Sequence, residues 1–312
     1  MNRTQGRKGR RAFVCLVFIV TYLAINYSHD SSITEVKVST NADYHKSIKT
    51  NVLDVATNLT TQHSSSDIVG KADTWTKGWD WDQHPYVIES HKLVFYTIPK
   101  VSTTVFKKLF RRMEGYDNWQ TKDPHDPRIN GLKRLRRNDF PPENATTMLL
   151  SPEWTRAIFV RDPKERFLSA YLDKVKNKDG KYVIGHCCPK KKQCVPKTML
   201  EFIDLSKKCV DPHWAPQNER LEHWNLINFI GSFNNIQNDT RRLLQRIDAW
   251  EEFGSNGWGV NGTEQIFGAT KTNHATGSEK LYKDYYTKDI ERLVEERYRE
   301  DYMNEVIVKA LN

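Results

Sequence analysis

Two segments of the sequence each predict a buried β-strand that leads through a tight turn into an amphipathic helix. In the first, the apolar strand Lys92–Ile98 precedes the turn Pro99–Thr104, and apolar residues then recur at helical spacing up to Met113. In the second, the strand Thr155–Val160 precedes the helix-start signal Arg161–Pro163. Strand–helix–strand units build parallel sheets, so we expect an α/β fold with a central parallel sheet flanked by helices. Its ligands should bind at the carboxyl ends of the strands.

The spacing of apolar residues also predicts the helices and their buried faces. We expect Thr103 or Thr104 to cap the first helix and Asp162 to cap the second. Two later amphipathic segments, 240–253 and 287–301, are predicted to be helices that cover the sheet. The predicted buried face of the first helix contains Val105, Phe106, Leu109, Phe110 and Met113, and its predicted exposed face contains Lys107, Lys108, Arg111 and Arg112.

The turn Pro99–Thr104 predicts an anion site. Backbone N–H groups at the N-terminus of the following helix lack intrahelical partners and point outward. Lys100 adds a positive charge, while Ser102, Thr103 and Thr104 add hydroxyl donors. The Walker A pattern G-x-x-x-x-G-K-[ST] is absent from the sequence. For the turn taken alone, a capped helix beside a surface lysine is the alternative interpretation.

The segments IPKVSTTVFKKLFRRM (Ile98–Met113) and FVRDPKERFLSAYLDK (Phe159–Lys174) resemble two motifs of the sulfotransferase superfamily, in its membrane-bound carbohydrate branch. These are the 5′-phosphosulfate loop and the 3′-phosphate motif. Ser102 stands where the family has a small Gly or Ala. The resemblance extends to three further segments, DPHWAPQ (Asp211–Gln217), FIGSF (Phe229–Phe233) and Leu281–Tyr302. It implies a P-loop-like three-layer fold and transfer of a sulfuryl group from 3′-phosphoadenosine 5′-phosphosulfate (PAPS) to a carbohydrate hydroxyl, which needs no metal.

The resemblance also implies roles for single residues. Lys100 would contact the 5′-phosphate and the bridging oxygen of the donor, and Arg161 and Ser169 would contact its 3′-phosphate. Alternatively, Arg161 pairs locally with an acidic neighbour such as Glu165, and Ser169 is a small packing residue. The remaining predicted donor-binding residues are Val101, Ser102, Thr103 and Thr104.

The catalytic base is predicted less directly. Family members use a His or a Glu between the two nucleotide motifs, and here His125 is the preferred candidate because imidazole titrates near neutral pH. Glu114 and Glu143 are the alternatives. His213 is expected to be structural. The segment Thr270–Thr276 is either a late loop that reaches the nucleotide or a polar surface loop.

The N-terminal part predicts a membrane anchor. Residues 1–11 form a basic cytosolic tail, and the apolar run within 12–27 is about 15 residues long, somewhat short of the roughly 20 that span a bilayer. A cleaved signal peptide is the alternative, but no small-x-small cleavage site follows the run. We expect a type II Golgi membrane protein with a polar stem at 28–74 and a luminal catalytic domain at 75–312.

Cysteines and glycosylation patterns favour a luminal location. Four of the five cysteines cluster between Cys187 and Cys209, which favours disulfides over a zinc site because the paired C-x-x-C spacing of zinc sites is absent. Four N-x-[ST] patterns begin at Asn58, Asn144, Asn238 and Asn261. Lys190–Lys192, among the cysteines, is either a contact for an anionic glycan or a solvated charge run.

The charge distribution disfavours binding to nucleic acid. Of the formal net charge of +9, five charges precede the first acidic residue, so the rest of the chain is only mildly basic. Two other functions are compatible with a phosphate-binding turn: a luminal kinase, and a membrane-anchored glycan-binding protein without turnover. The kinase motifs H-R-D and D-F-G are absent, and intact Lys100, Arg161 and Ser169 disfavour the glycan-binding protein.

Overall fold

The computed structural model describes residues 84–188, 194–221, 223–268 and 278–312. The predicted cytosolic tail, anchor and stem, the domain start at residue 75, Lys190–Lys192 and Thr270–Thr276 lie outside the described residues. None of the helices within these four ranges has the length and apolar character needed to cross a membrane.

A four-stranded sheet has the order β1-β2-β3-β4. Strand β1 (Tyr86–Ile88) pairs antiparallel with β2 (Leu93–Tyr96), and β2, β3 (Thr155–Val160) and β4 (Phe229–Ser232) are parallel. Every residue of β2 and β3 is buried, as expected for parallel strands covered on both faces. The α/β fold with a central, mostly parallel sheet and flanking helices is therefore confirmed, and β1 adds an antiparallel edge that the sequence analysis did not predict.

Eleven α-helices are found in the described part of the chain, together with short 3-10 and π-helical turns. The α-helices are α1 (Thr103–Met113), α2 (Pro127–Asn130), α3 (Pro142–Leu150), α4 (Pro163–Ala170), α5 (Lys181–Cys187), α6 (Met199–Lys208), α7 (Ile236–Arg246), α8 (Ser278–Tyr285), α9 (Lys288–Arg297), α10 (Arg299–Met303) and α11 (Glu305–Leu311). The 3-10 turns are Glu89–His91, Asn177–Gly180, Asn218–Arg220 and Trp224–Leu226, and the π-helical turns are Tyr171–Lys176 and Trp250–Gly254.

Helix α1 has the predicted apolar face, but its start and its polar face differ from the prediction. Ser102 occupies the cap position without a side-chain hydrogen bond, so the prediction of a threonine cap is wrong. Lys107 and Arg111, predicted to be exposed, are buried. The Arg111 guanidinium donates to the carbonyl oxygen of Asn130 at 2.8 Å. Arginine and lysine can enter the interior when carbonyl or ring acceptors replace water.

Helix α4 begins as predicted, because the Asp162 carboxylate accepts a hydrogen bond from the Glu165 amide at 3.0 Å. It changes at Tyr171 into the π-helical turn Tyr171–Lys176 instead of continuing as an α-helix. Single π-helical turns inside helices occur often at functional sites. In this one, the Asp173 side chain contacts Lys100 in the turn after β2.

The two later segments are helical, as predicted, but neither forms a single continuous helix. The segment predicted at 240–253 begins earlier, at Ile236, and is interrupted after Arg246, where Asp248 adopts a positive φ of 54°. The segment predicted at 287–301 has its cap at Thr287 but divides at Tyr298 into α9 and α10. Apolar periodicity continues through both breaks, so it gave no signal of them.

Two hydrophobic clusters hold the elements together. One joins the sheet to α1, with Phe95, Phe106, Phe110 and Phe159 in mutual ring contact. The other packs α4, α6 and α9 around Phe167, Phe202, Trp214 and Tyr298. Disulfides join Cys187 to Cys209 and Cys188 to Cys194, which confirms the predicted disulfides and supplies their connectivity.

Candidate functional site

The turn between β2 and α1 lies at the carboxyl edge of the sheet and has a strained backbone. Lys100 and Ser102 both adopt left-handed conformations, with φ of 72° and 53°. Each such non-glycine residue costs on the order of 1–3 kcal/mol, and this kind of strain concentrates at binding sites. Left-handed residues beside a helix start turn several backbone N–H groups toward one concavity, which suits an anion.

The Lys100 side chain lies inside the site rather than on the surface. Its side chain is 9% exposed, and its Nζ donates to Asp173 Oδ2 at 2.9 Å. Lys174 Nζ lies 3.2 Å from the same oxygen. Burial lowers the pKa of Lys100 below its ordinary value, and the Asp173 carboxylate only partly offsets this. The interpretation of Lys100 as a surface lysine is therefore wrong for this turn.

Asp173 should couple the stability of the protein to pH. Burial tends to raise its pKa, but the charges and hydrogen bonds of Lys100 and Lys174 outweigh this and hold the pKa at about 2. A carboxyl whose pKa is depressed on folding stabilises the protein above its unfolded pKa of about 3.9, and this contribution disappears as pH falls toward 2. Asp173→Asn should therefore lower the free energy of unfolding by about 2 kcal/mol at pH 7. Urea titrations should show this difference shrinking between about pH 5 and pH 2, whereas a constant difference would contradict the pairing.

Arg161 follows β3 and lies beside the turn after β2, because parallel strands end at the same edge of the sheet. Its Nη1 donates to the Lys100 carbonyl oxygen at 3.3 Å, and its Nε lies 3.4 Å from Glu165 Oε2. The guanidinium carbon lies 3.9 Å from the centre of the Phe233 ring. Arg161 thus does pair with Glu165, and it also contacts the backbone of the predicted anion loop.

A buried network fixes the backbone of Arg161. The Gln217 side chain accepts from the Arg161 amide at 3.0 Å and donates to the Arg161 carbonyl at 2.8 Å. The Asp301 carboxylate accepts from the amides of Gln217 and Asn218 at 3.0 and 2.8 Å. Burial raises the pKa of Asp301 above its ordinary value. These contacts orient Arg161 from outside its own strand.

The other predicted donor-binding residues lie in the loop after β2, in the first turn of α1 and on α4. Val101 is buried, and its amide donates to the Ile98 carbonyl at 3.2 Å, which closes the turn. Thr103 and Thr104 lie in the first turn of α1, whose leading N–H groups have no intrahelical acceptor. Ser169, on α4, is 3% exposed. The structure therefore brings Lys100 and Arg161 into contact through the loop, and it places Ser169 on the helix that follows Arg161.

His125 lies against the first turns of α1. Its Nε2 is 2.8 Å from Thr104 Oγ1, and its Nδ1 is 3.1 Å from Lys107 Nζ. A lysine ammonium can only donate, so Nδ1 accepts and the neutral ring carries its proton on Nε2, toward Thr104. Both ring nitrogens are thus engaged with side chains of α1, and the role of His125 as base stays a prediction.

The alternative carboxylates, Glu114 and Glu143, lie outside the turn. Glu114 terminates α1, about 18 Å along the helix axis from Ser102. Burial raises its pKa above the ordinary value. Glu143 is exposed in the first turn of α3. By contrast His213, predicted to be structural, pairs with Asp211, with Nδ1 2.7 Å from Oδ1, and its ring remains 23% exposed.

The sequence analysis missed several residues of this site. Asp173 lies one helical turn beyond Ser169 in the segment that resembles the 3′-phosphate motif, and that spacing was an available signal. Gln217 contacts Arg161, and Asp301 contacts Gln217, each across a long stretch of sequence. No local pattern predicts such pairings.

Comparison with known proteins identifies the family. The family model described as "Sulfotransferase family" matches residues 83–304, which include both strand–turn–helix units. The chain belongs to the sulfotransferase family. The resemblance carried by the two motifs is therefore confirmed, and this sulfotransferase places Lys100 and Arg161 at the carboxyl ends of neighbouring parallel strands.

Curated relatives of this sulfotransferase have low but significant identity. Human carbohydrate sulfotransferase 9 is 26% identical over 187 residues, covering 54% of this chain and 41% of the relative. Carbohydrate sulfotransferase 14 of Danio rerio is 27% identical over 184 residues, covering 54% and 49%. Mouse carbohydrate sulfotransferase 11 is 23% identical over 190 residues, covering 52% of each chain. The chain thus spans about half the length of these relatives, and no solved structure matches it significantly.

Proposed function

We propose that this protein transfers the sulfuryl group of PAPS to a hydroxyl of a carbohydrate acceptor, a glycan or proteoglycan. Membership of the sulfotransferase family supports the reaction class. The names of the curated relatives, all carbohydrate sulfotransferases, support the acceptor class.

The proposal rests on the proximity of two potential phosphate-binding sites. Arg161 Nη1 lies 3.3 Å from the Lys100 carbonyl oxygen, so the loop after β2 and the residue after β3 form neighbouring parts of one surface. A mononucleotide with one phosphate needs only one such site. Two cationic sites side by side fit a bis-phosphorylated adenosine, with the 5′-phosphosulfate on Lys100 to Thr104 and the 3′-phosphate on Arg161 and Ser169.

Lys100 has the chemistry that the transfer requires. As the bond between sulfur and the bridging oxygen breaks, negative charge develops on the 5′-phosphate. A buried ammonium stabilises such charge more strongly than one in water, because few water dipoles screen it. Lys100 must leave Asp173 to do this, and the flexible four-carbon stem of lysine permits that movement.

We also propose a Golgi location with the anchor, stem and luminal catalytic domain predicted from the sequence. Two observations support the luminal part. Disulfides persist mainly in oxidising compartments, and two are present here. Asn144, Asn238 and Asn261, which begin three of the four glycosylation patterns, have exposed side chains.

Transfer of labelled sulfate provides the test of this function. Purified full-length protein is incubated with PAPS labelled in the sulfuryl group and with a panel of chemically desulfated glycosaminoglycans and N-glycans. We expect label to enter at least one glycan, and a parallel reaction with γ-labelled ATP and magnesium should transfer none. Incorporation from ATP instead of PAPS would favour the luminal kinase and contradict the proposal.

A further inference from the structure

His213 is held close to the loop that contains Lys100 by a buried arginine. Arg166, which is fully buried, donates from Nη1 to two carbonyl oxygens, those of Pro99 and His213, at 3.4 and 3.2 Å. Its Nη2 donates to the carbonyl oxygen of Ala215. The residue before Lys100 and the backbone of His213 therefore share one guanidinium.

Side-chain contacts extend this proximity into the site. Asp173 contacts both Lys100 and Lys174, at 2.9 and 3.2 Å. Lys174 Nζ lies 4.5 Å from the centre of the Tyr182 ring. The Tyr182 hydroxyl lies 3.1 Å from His213 Nδ1. A continuous series of contacts thus leads from Lys100 to the imidazole of His213.

The imidazole is oriented by two further groups. Asp211 Oδ1 lies 2.7 Å from His213 Nδ1, and Asp211 Oδ2 accepts from the Tyr182 hydroxyl at 2.7 Å. A carboxylate only accepts, so the ring carries its proton on Nδ1 and its lone pair on Nε2. The hydrogen bond from Tyr182 holds the carboxylate in turn. This is the arrangement in which a carboxylate orients a general base.

Nε2 of His213 can accept a proton from a substrate, whereas both ring nitrogens of His125 already contact side chains of α1. The ring is 23% exposed, and none of the described residues hydrogen-bonds its Nε2. Burial lowers the pKa of His213, the Asp211 carboxylate opposes this, and the charges of Lys174 and Lys100 lower the pKa further. The pKa of His213 is thus lowered from its ordinary value, which favours the neutral imidazole with an unprotonated Nε2.

A disulfide supports this geometry. It joins Cys187, at the end of the helix that carries Tyr182, to Cys209, two residues before Asp211. The Cα atoms of the two cysteines are 5.6 Å apart. The disulfide therefore limits how far the segments that carry Tyr182 and Asp211 can separate, independently of the hydrogen bond between these two residues.

We infer that His213 Nε2, rather than His125, accepts the proton of the acceptor hydroxyl, with Asp211 and Tyr182 as positioning residues. This inference rests on the proposed function. The hydroxyl oxygen attacks sulfur and forms the new oxygen–sulfur bond while its proton passes to His213 Nε2. The bond from sulfur to the bridging oxygen breaks, and its electron pair remains on the 5′-phosphate. The products are a sulfate ester, 3′-phosphoadenosine 5′-phosphate (PAP) and imidazolium.

The test compares His213→Ala and His125→Gln in full-length protein with the desulfated glycan panel as acceptor. General base catalysis contributes about 100- to 10,000-fold to rate, so His213→Ala should lower kcat at least about 100-fold. Added imidazole should restore part of that rate, a response that a structural role of His213 would not give. The rise of Tm caused by PAP should be preserved, because the side chain of His213 is not assigned to the donor. Asp211→Asn should lower kcat as well, because the amide can stabilise the wrong tautomer.

His91 provides a control, because its Nδ1 has a hydrogen-bond partner as well, the Ile247 carbonyl at 3.0 Å, and it precedes β2 at the opposite edge of the sheet. His91→Gln should leave kcat unchanged. The inference is overturned if His213→Ala retains turnover, if His125→Gln loses it instead, or if His213→Ala loses PAP stabilisation and is not rescued by imidazole. Failure of the wild-type protein to respond to PAP would be a different result, because it would overturn the proposed function itself.

Discussion

Replacing Lys100 by methionine is expected to lower kcat for sulfuryl transfer about 100- to 1,000-fold, the usual effect of removing one preorganised group that stabilises transition-state charge. Methionine keeps an unbranched stem of similar length, so the buried space next to Asp173 remains filled. Because the ammonium acts on charge that develops on the 5′-phosphate during bond cleavage, the affinity for PAPS, in which that charge has not yet developed, should weaken much less than kcat falls. Steady-state rates with labelled PAPS, and calorimetric titration with PAPS in the absence of an acceptor, measure the two effects separately.

Lys108 is the matched control for this variant. It lies on α1, is partly buried, and donates from Nζ to the Gln120 carbonyl at 2.7 Å instead of to Asp173. Lys108→Met should leave kcat within about twofold of wild type, the range of ordinary surface substitutions. If Lys100→Met retained a comparable rate, Lys100 would have no role in transfer.

Replacing Arg161 by lysine is expected to weaken PAP binding about 10- to 100-fold, because charged hydrogen bonds of this kind contribute about 1.5–3 kcal/mol. Lysine keeps the charge but loses the planar fork of donors and the contact with the Phe233 ring. Binding of adenosine 5′-phosphate, which lacks the 3′-phosphate, should change little. The decisive quantity is thus the ratio of the two affinities, measured by titration calorimetry.

Arg156 provides the matched control because it is a buried arginine on β3, the strand that Arg161 follows. Its guanidinium donates to the carbonyls of Leu226 and Ser151, both at 2.7 Å, near the opposite end of the strand from Arg161. Arg156→Lys should lower stability without changing the affinity ratio. An unchanged ratio in Arg161→Lys would show that the 3′-phosphate binds elsewhere.

The parts of the fold that the sequence predicted well are those with strong local signals. Strand β3 was predicted with its observed bounds, since Thr155–Val160 is uniformly apolar after its first two residues and is followed, after Arg161, by a capping aspartate and a proline. The disulfides followed from the clustering of cysteines, although their connectivity did not. The break at Asp248 was not predictable, because a left-handed aspartate leaves the apolar spacing on either side intact.

In the site, too, local sequence patterns predicted some residues, whereas contacts between distant segments were not predictable. Lys100 was predicted from the turn that follows a strand, and Arg161 from the resemblance to the 3′-phosphate motif. Their positions after two strands of a parallel sheet were compatible with a shared site. His213 was assigned to the core because nothing in DPHWAPQ indicates that Arg166 holds it beside Pro99. Likewise the contact of His125 with Lys107 depends on how the connection after α1 folds back onto that helix. Contacts of this kind are set by packing between distant segments, which periodicity does not report.

The most direct measurement of the central claim is the Tm of the full-length protein in the presence of different nucleotides. A ligand that binds only the native state stabilises it by about 2.7 kcal/mol at 100 times its Kd. We predict a clear rise in Tm with PAP, a smaller rise with adenosine 5′-phosphate, and little response to ATP with magnesium at the same concentration. Equal responses to all three, or a response to ATP with magnesium alone, would contradict a site built for a bis-phosphorylated adenosine.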